Sequence, residues 1–535
     1  MDRRAGQKET EDSDPPLRPG LGLKAGSALL ARILPLIVLL ALICHPTQIT
    51  VRQWADAFVR TAGFGHAIAR LVPSAHVCVS DVLFIGAFLL WLALNLREGR
   101  LAGRLRCYPP ALLILLACAA LSVVPVLKPP GLFTGRQLVY ARALTEFVQL
   151  LLLFGCTYVV LADYMRDPVW RRRLAVGFLC ASAVGVAVGV WEYAHLRPSG
   201  SAGRGLIVSP VEVDGTFGFT GEPARPHEQA GTASNRNVLG AWASMVVPML
   251  WALALCLRRP TARIACGAAA AGGLLLLLQG GEWFAAIVAL LVVAYARSGK
   301  SFVATAGALL VFWALVFRFA PEQHGMVLTD SLMLRKAYDR FHTLPLYSGT
   351  HTAEGSVPPA RLGTNDNGVW QQKFMEWQPG LQAVARNPVF GLGLGNYQNN
   401  INNFYQTHSD AFYNPEGVYD VTKPVANLME TGANSFYLVW LVETGFAGLL
   451  AFVWVLLWGI KSAGGAHRWL ARRPIPGEGR ALDEGLALGA LGALVAMAGG
   501  MFFAGYLVRG VGIAVVFVLA TAAALRESAC AASDA

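Results

Sequence analysis

Long apolar runs separated by short polar stretches dominate this chain. A helix that crosses a bilayer needs about 20 predominantly apolar residues. Runs that meet or approach that length lie at about 27–44, 78–96, 109–126, 144–164, 174–193, 238–257, 264–279, 282–296, 301–319, 436–460, 486–506 and 509–525. The seventh and eighth are short and joined by Gln279-Gly280-Gly281-Glu282, which predicts a tight helical hairpin. The pattern predicts an all-α fold: a polytopic membrane helix bundle of about 12 transmembrane helices. Two polar stretches between the runs are long, at 194–237 and 320–435. The second exceeds what a connector needs. Within it, Trp370, Phe374, Trp377, Leu381 and Val384 recur at helical spacing, predicting an amphipathic helix with Pro379 at its start or at a kink. The plain role for that stripe is to pack the loop onto the bundle.

Charge sets the direction of the helices. Only 14% of the 535 residues are charged, against about 25% in soluble proteins. The net charge of +11 does not describe a nucleic-acid surface. Its basic residues cluster after every second apolar run: Arg97, Arg100, Arg104 and Arg106; Arg166 and Arg171 to Arg173; Arg258, Arg259 and Arg263; Arg297 and Lys300; Lys461, Arg468, Arg472, Arg473 and Arg480; and Arg526. Cytoplasmic loops carry the excess of Lys and Arg. Both termini are therefore expected in the cytoplasm and the long loops outside. Residues 1–26 read as a disordered cytoplasmic tail with no cleavable signal peptide, 27–319 as helices one to nine, 320–435 as the large outer loop, 436–525 as helices ten to twelve, and 526–535 as a second tail. No cysteine lies in 194–237 or 320–435, which excludes disulfides and Cys-ligated metal there.

Ionisable residues inside a bilayer are costly and mark function by default. Glu282 lies at the hairpin turn, Asp81 and Glu146 near the outer ends of the second and fourth runs, and Glu443 within the tenth. Each has a second reading, as a structural partner for a nearby arginine. Before the sixth run, Arg225, His227, Glu228 and Arg236 gather, and Asn235 and Asn237 are placed to cap its helix. A helix amino end beside two arginines suits a pyrophosphate; capping plus arginines on lipid phosphate is the alternative. Gly391-Leu392-Gly393-Leu394-Gly395-Asn396 follows no strand, so it is not a nucleotide loop; its glycines suit a tight turn against the bundle. From Asn396 to Tyr419 the chain is rich in amides and aromatics, the groups that sugars need. His408 within it could act as a general base at neutral pH.

Three segments resemble the O-antigen ligase and polymerase family: GTASNRNVLGAWASMVVPML, WQPGLQAVARNPVFGLGLGNY and ANSFYLVWLVETGFAGLLAF. The resemblance spans roughly Gly231 to Leu450. It implies an integral inner-membrane glycosyltransferase whose large loop is periplasmic. Such an enzyme passes an undecaprenyl-diphosphate-linked glycan to a hydroxyl of a glycan or lipid acceptor, by a metal-independent inverting transfer without a cofactor. Two family features are absent: Ala433 precedes Asn434 where members carry His, and Gln279-Gly280-Gly281-Glu282 stands where many carry Ser-Arg-Gly. That leaves Arg225, Arg236, Lys373 and Arg386 as candidate diphosphate contacts, with Asn235, Asn237, Asn396 and Asn434 as further substrate contacts, and His408, His227 or Glu282 as candidate bases. A polysaccharide transporter or flippase, and a non-catalytic glycan-binding relative, are the rival classes.

Overall fold

The computed structural model describes residues 25–45, 79–105, 108–124, 143–144, 146–195, 231–277, 282–319, 377, 379–397, 435–472, 477–502, 507 and 509–534. Most of these residues are helical, with no strand among them. Each apolar run falls on a helix: α1 Ala25–Cys44, α2 Val79–Arg97, α3 Pro110–Val123, α4 Glu146–Arg166, α5 Pro168–His195, α6 Gly231–Cys256, α7 Pro260–Leu277, α8 Trp283–Arg297, α9 Gly299–Phe319, α10 Phe436–Arg472, α11 Glu478–Gly500 and α12 Arg509–Asp534. Eight of them are long and apolar enough to cross a membrane, and α1, α3, α6 and α8 carry shorter apolar stretches. α10 continues a dozen residues past its predicted end, and α12 carries helix through the expected carboxyl-terminal tail as far as Asp534.

Two helices form the centre. Residues 240–250 of α6 and 511–525 of α12 are buried on every side. A helix that is apolar all round belongs in such a position. Small residues let the neighbours approach, because lipid supplies no hydrophobic drive between helices. Gly485, Gly489 and Gly492 of α11 repeat at i, i+4 and i+7; a methyl on them would lie 2.8 Å from Leu253 Cδ2, 3.0 Å from Met249 Cα and 2.8 Å from Pro248 Cβ of α6. The predicted hairpin of the seventh and eighth runs needs correction. α7 packs chiefly on α6 and α5, whereas α8 packs on α11, α6 and α9, and the two touch each other only slightly. Their glycine contacts explain it: Gly272 of α7 meets Val186 and Gly499 of α11 meets Ala285.

The basic clusters meet at one end of the bundle. Arg104, beyond α2, pairs with Asp163 of α4, whose other carboxylate oxygen accepts Trp91 Nε1–H at 2.9 Å. Arg166 of α4 pairs with Glu527 of α12 at 2.6 Å. Arg171 of α5 grips Asp483 of α11 through Nε and Nη2, each at 3.1 Å, and donates to Ser528 of α12 at 3.4 Å. Arg297 of α8 pairs with Glu484 of α11. Arg526 of α12 donates to Ser462 Oγ of α10 at 3.2 Å, and His467 of α10 bonds Ala296 O of α8 at 3.1 Å. The carboxyl ends of α4, α8, α10 and α12 therefore share one face of the bundle with the amino ends of α5 and α11. The amino ends of α4 and α8, which bear Glu146 and Glu282, lie at the other.

Candidate functional site

Within the large loop, the described residues form a short helix and a glycine-rich turn on α10. Residues 379–386 are helical, with Pro379 in the first turn, where its missing N–H costs nothing. Ala383 and Val384 are buried with Tyr397 against Leu438, Val439 and Val442 of α10, and Trp377 packs beside them. Leu381 is 52% exposed, so it leaves the predicted apolar stripe. The helix presents the Ala383–Val384 side inward because Gly380 already abuts Leu438, where a methyl would lie 2.7 Å from Leu438 Cδ1. Trp370 and Phe374, the other stripe positions, lie outside the described residues.

α10 is broken at Gly445, with φ 67° and ψ −169°. Only glycine adopts that backbone readily. A break inside an apolar bundle strands carbonyls of the first half and N–H groups of the second, and each stranded group is costly there. The turn satisfies them. Leu392 N–H donates to Val442 O at 2.8 Å and Gly393 N–H to Glu443 O at 3.0 Å. In return, Phe446 N–H donates to Pro388 O at 2.8 Å and Ala447 N–H to Val389 O at 3.2 Å. Side chains of α10 take two more carbonyls: Thr444 Oγ1 donates to Trp440 O at 2.6 Å and Trp440 Nε1 to Gly448 O at 3.0 Å. The approach is backbone on backbone. Gly391, at φ 68°, has Glu443 C only 2.5 Å from where a Cβ would stand. The glycines expected to turn tightly against the bundle do so, and what they turn against is the break.

Two carboxylates touch this turn. Glu443 is buried and its Oε1 accepts Tyr397 N–H at 3.1 Å, so one of its partners is a backbone amide of the turn. Glu146, also buried, sets its carboxylate against Gly395, where a methyl would lie 2.7 Å from Oε1. α4 is π-helical from Leu151 to Thr157, one turn beyond Glu146, and Tyr108 Oη–H donates to Phe154 O within that stretch at 2.8 Å. Such segments often mark functional sites in helices. Glu282 is fully buried at the N-cap of α8, and Gly240 of α6 makes room for it: a methyl there would stand 2.5 Å from Oε2.

No protein-family model matches the chain, and no curated protein matches it.

Of the residues singled out from sequence, the structure brings Asn396 onto the turn. Asn396 is buried there, with Nδ2 donating to Leu394 O at 3.2 Å, so its amide serves the turn itself. Arg386 is exposed at the carboxyl end of the short helix, where a cation is favoured. Glu282 stands on a different helix, in contact with α6. The capping role of Asn235 and Asn237 is corrected: α6 begins at Gly231, which puts both, and Arg236 with them, inside the helix. Nothing between Gly231 and Asn235 breaks a helix, so it starts early. His408, His227, Arg225, Lys373 and Asn434 lie outside the described residues. Asp81 occupies the first turn of α2, where the helix dipole favours a carboxylate.

Two features had no sequence signal strong enough to place them. One is the break at Gly445, for which TGFAG inside an apolar run was the only hint. The other is His45, buried just past α1, with Nδ1–H on Leu42 O at 2.5 Å and Nε2 accepting Trp242 Nε1–H at 3.2 Å. It stacks on Phe178 at 4.6 Å, and Phe178 in turn on Phe517 at 4.0 Å. With both nitrogens engaged in this way, His45 is a neutral ring that joins α1, α5, α6 and α12.

Proposed function

We propose that this protein is an inner-membrane glycosyltransferase of the O-antigen ligase or polymerase type. It moves an undecaprenyl-diphosphate-linked glycan onto an acceptor hydroxyl outside the cytoplasmic membrane. The observation that carries the proposal is the seating of the glycine-rich turn in the break of α10. These are the second and third of the segments that resemble the family, and they form one structural unit at the end of the bundle away from the paired arginines. In this proposal all of α1 to α12 cross the bilayer, the arginine end faces the cytoplasm by the positive-inside rule, and both termini lie there.

The chemistry is displacement at the anomeric carbon with the lipid diphosphate as leaving group. Arg225, Arg236, Lys373 and Arg386 would stabilise the charge that develops on that group, where electrostatic catalysis acts most strongly. A base would take the proton of the acceptor hydroxyl. Glu282 is shut against Gly240, so His408 or His227 is the better fit for that role. The break in α10 favours a second reading, since transporters use broken helices to bind ions and substrates. Against it, the groups freed near Gly445 are bonded to the turn and to α10's own side chains.

Deletion of the gene, followed by gels of surface and lipid-linked glycans, tests the proposal. Single repeats on the acceptor indicate a polymerase, and long chains stranded on the carrier indicate a ligase. Single carrier-linked units that stay inaccessible from outside the cell indicate a flippase. An unchanged profile rules out the enzyme. A topology reporter fused near Asn365 must face away from the cytosol; a cytosolic signal there removes the geometric basis of the proposal.

A further inference from the structure

We infer that Glu443 is a positioning residue, which holds the Gly393–Tyr397 turn on α10 with its backbone and its side chain together. The inference rests on the proposed function for its catalytic consequence, and on geometry alone for the contact. The main-chain oxygen of Glu443 accepts Gly393 N–H at 3.0 Å, and Oε1 of the same residue accepts Tyr397 N–H at 3.1 Å. One residue thus brackets the turn at both ends. It can do so because the helix is broken two residues later. In an unbroken helix the Glu443 carbonyl would serve Ala447 N–H, which here donates to Val389 O instead.

The chemistry of the side chain supports a role beyond packing. Burying a carboxylate is costly unless it is well bonded, and a leucine or methionine would fill a buried position without that cost. A carboxylate, however, makes the stronger bond to a backbone amide. Tyr397 is itself buried, so its N–H needs a partner within the protein. Glu146 of α4 lies against the same turn at Gly395. The short helix bearing exposed Arg386 is continuous with this turn, so its placement relative to α10 follows from how firmly the turn is held.

The test is amide exchange and donor titration on full-length protein in nanodiscs. A hydrogen bond to a charged group lost here corresponds to about 10-fold or more in local opening. Glu443→Ala is expected to speed exchange at Gly393 and Tyr397 by at least about 10-fold while α6 and α12 stay protected. It should raise KM for lipid-linked donor severalfold with little change in kcat. Glu443→Gln, which keeps an acceptor oxygen in place, should restore both properties. Glu443→Asp keeps the charge but withdraws it by one methylene, should behave like the alanine variant, and serves as the test if Glu443→Ala fails to fold. Unchanged exchange at Tyr397 in the alanine and aspartate variants overturns the inference, as does a glutamine variant no better than alanine. If wild-type protein transfers no glycan, the proposed function fails, and the exchange data still decide the role of Glu443.

Discussion

Gly445→Ala is the sharpest perturbation of the site. A methyl at Gly445 would lie 2.7 Å from Phe390 N and nearer still to the Val389 carbonyl. Carbon–oxygen contacts in folded proteins settle at about 3.3 Å or more. The atoms in the way belong to backbone, so no side-chain rotation relieves the overlap, and the turn must move away from α10. That motion breaks Phe446 N–H to Pro388 O and Ala447 N–H to Val389 O, the bonds that flank the overlap. Their loss costs about 2 kcal/mol at roughly 1 kcal/mol each. The left-handed backbone adds about 1–3 kcal/mol for any residue other than glycine. The seated turn should therefore lose about 3–5 kcal/mol, or at least about 100-fold in its closing equilibrium. Hydrogen exchange at Leu392, Gly393, Phe446 and Ala447 reads this directly. Glycan output should fall with it. Wild-type protection at those amides in a folded Gly445→Ala protein would refute the idea that the break and the turn depend on each other.

Further outcomes follow from other contacts. Gly307→Ala, whose methyl meets nothing within 4 Å on helix α9, should be neutral or stabilise by up to about 1 kcal/mol, which makes it a control for glycine substitution; a large loss of thermal stability would contradict the described packing. Gly240→Ala pushes the Glu282 carboxylate out of place, so its destabilisation should shrink when combined with Glu282→Ala; strict additivity in that double-mutant cycle would refute the contact. Asp483→Ala strands the buried Arg171 and should cost about 3–5 kcal/mol, whereas Arg171→Met with Asp483→Leu should cost far less; unfolding midpoints of the three proteins decide it. Trp242→Phe leaves buried His45 Nε2 without its donor and should cost about 1–3 kcal/mol in thermal unfolding; no change would show that the bond contributes nothing.

The apolar runs alone determined that this chain is helical and membrane-like, and roughly where each helix lies. That information is local: about 20 apolar residues cannot bury their backbone in lipid except as helix. The alternation of Arg clusters likewise anticipated which helix ends lie together, because like-facing ends share one aqueous boundary, and Arg166 with Glu527 or Arg171 with Asp483 then meet as neighbours. Pairing partners were beyond the sequence, since residues 312 and 361 positions apart become neighbours only through packing. The same holds at the site. Gly391, Gly393 and Gly395 announced a tight turn, but its seat is a break in another helix some fifty residues onward. Charge is what a sequence displays, so Glu443 stood out there as an ionisable residue in an apolar run; that it accepts the Tyr397 amide only the tertiary arrangement decided. Local composition fixes where a backbone can be helical. Only the assembled bundle decides which backbone groups a break leaves unsatisfied, and which distant segment must come to satisfy them.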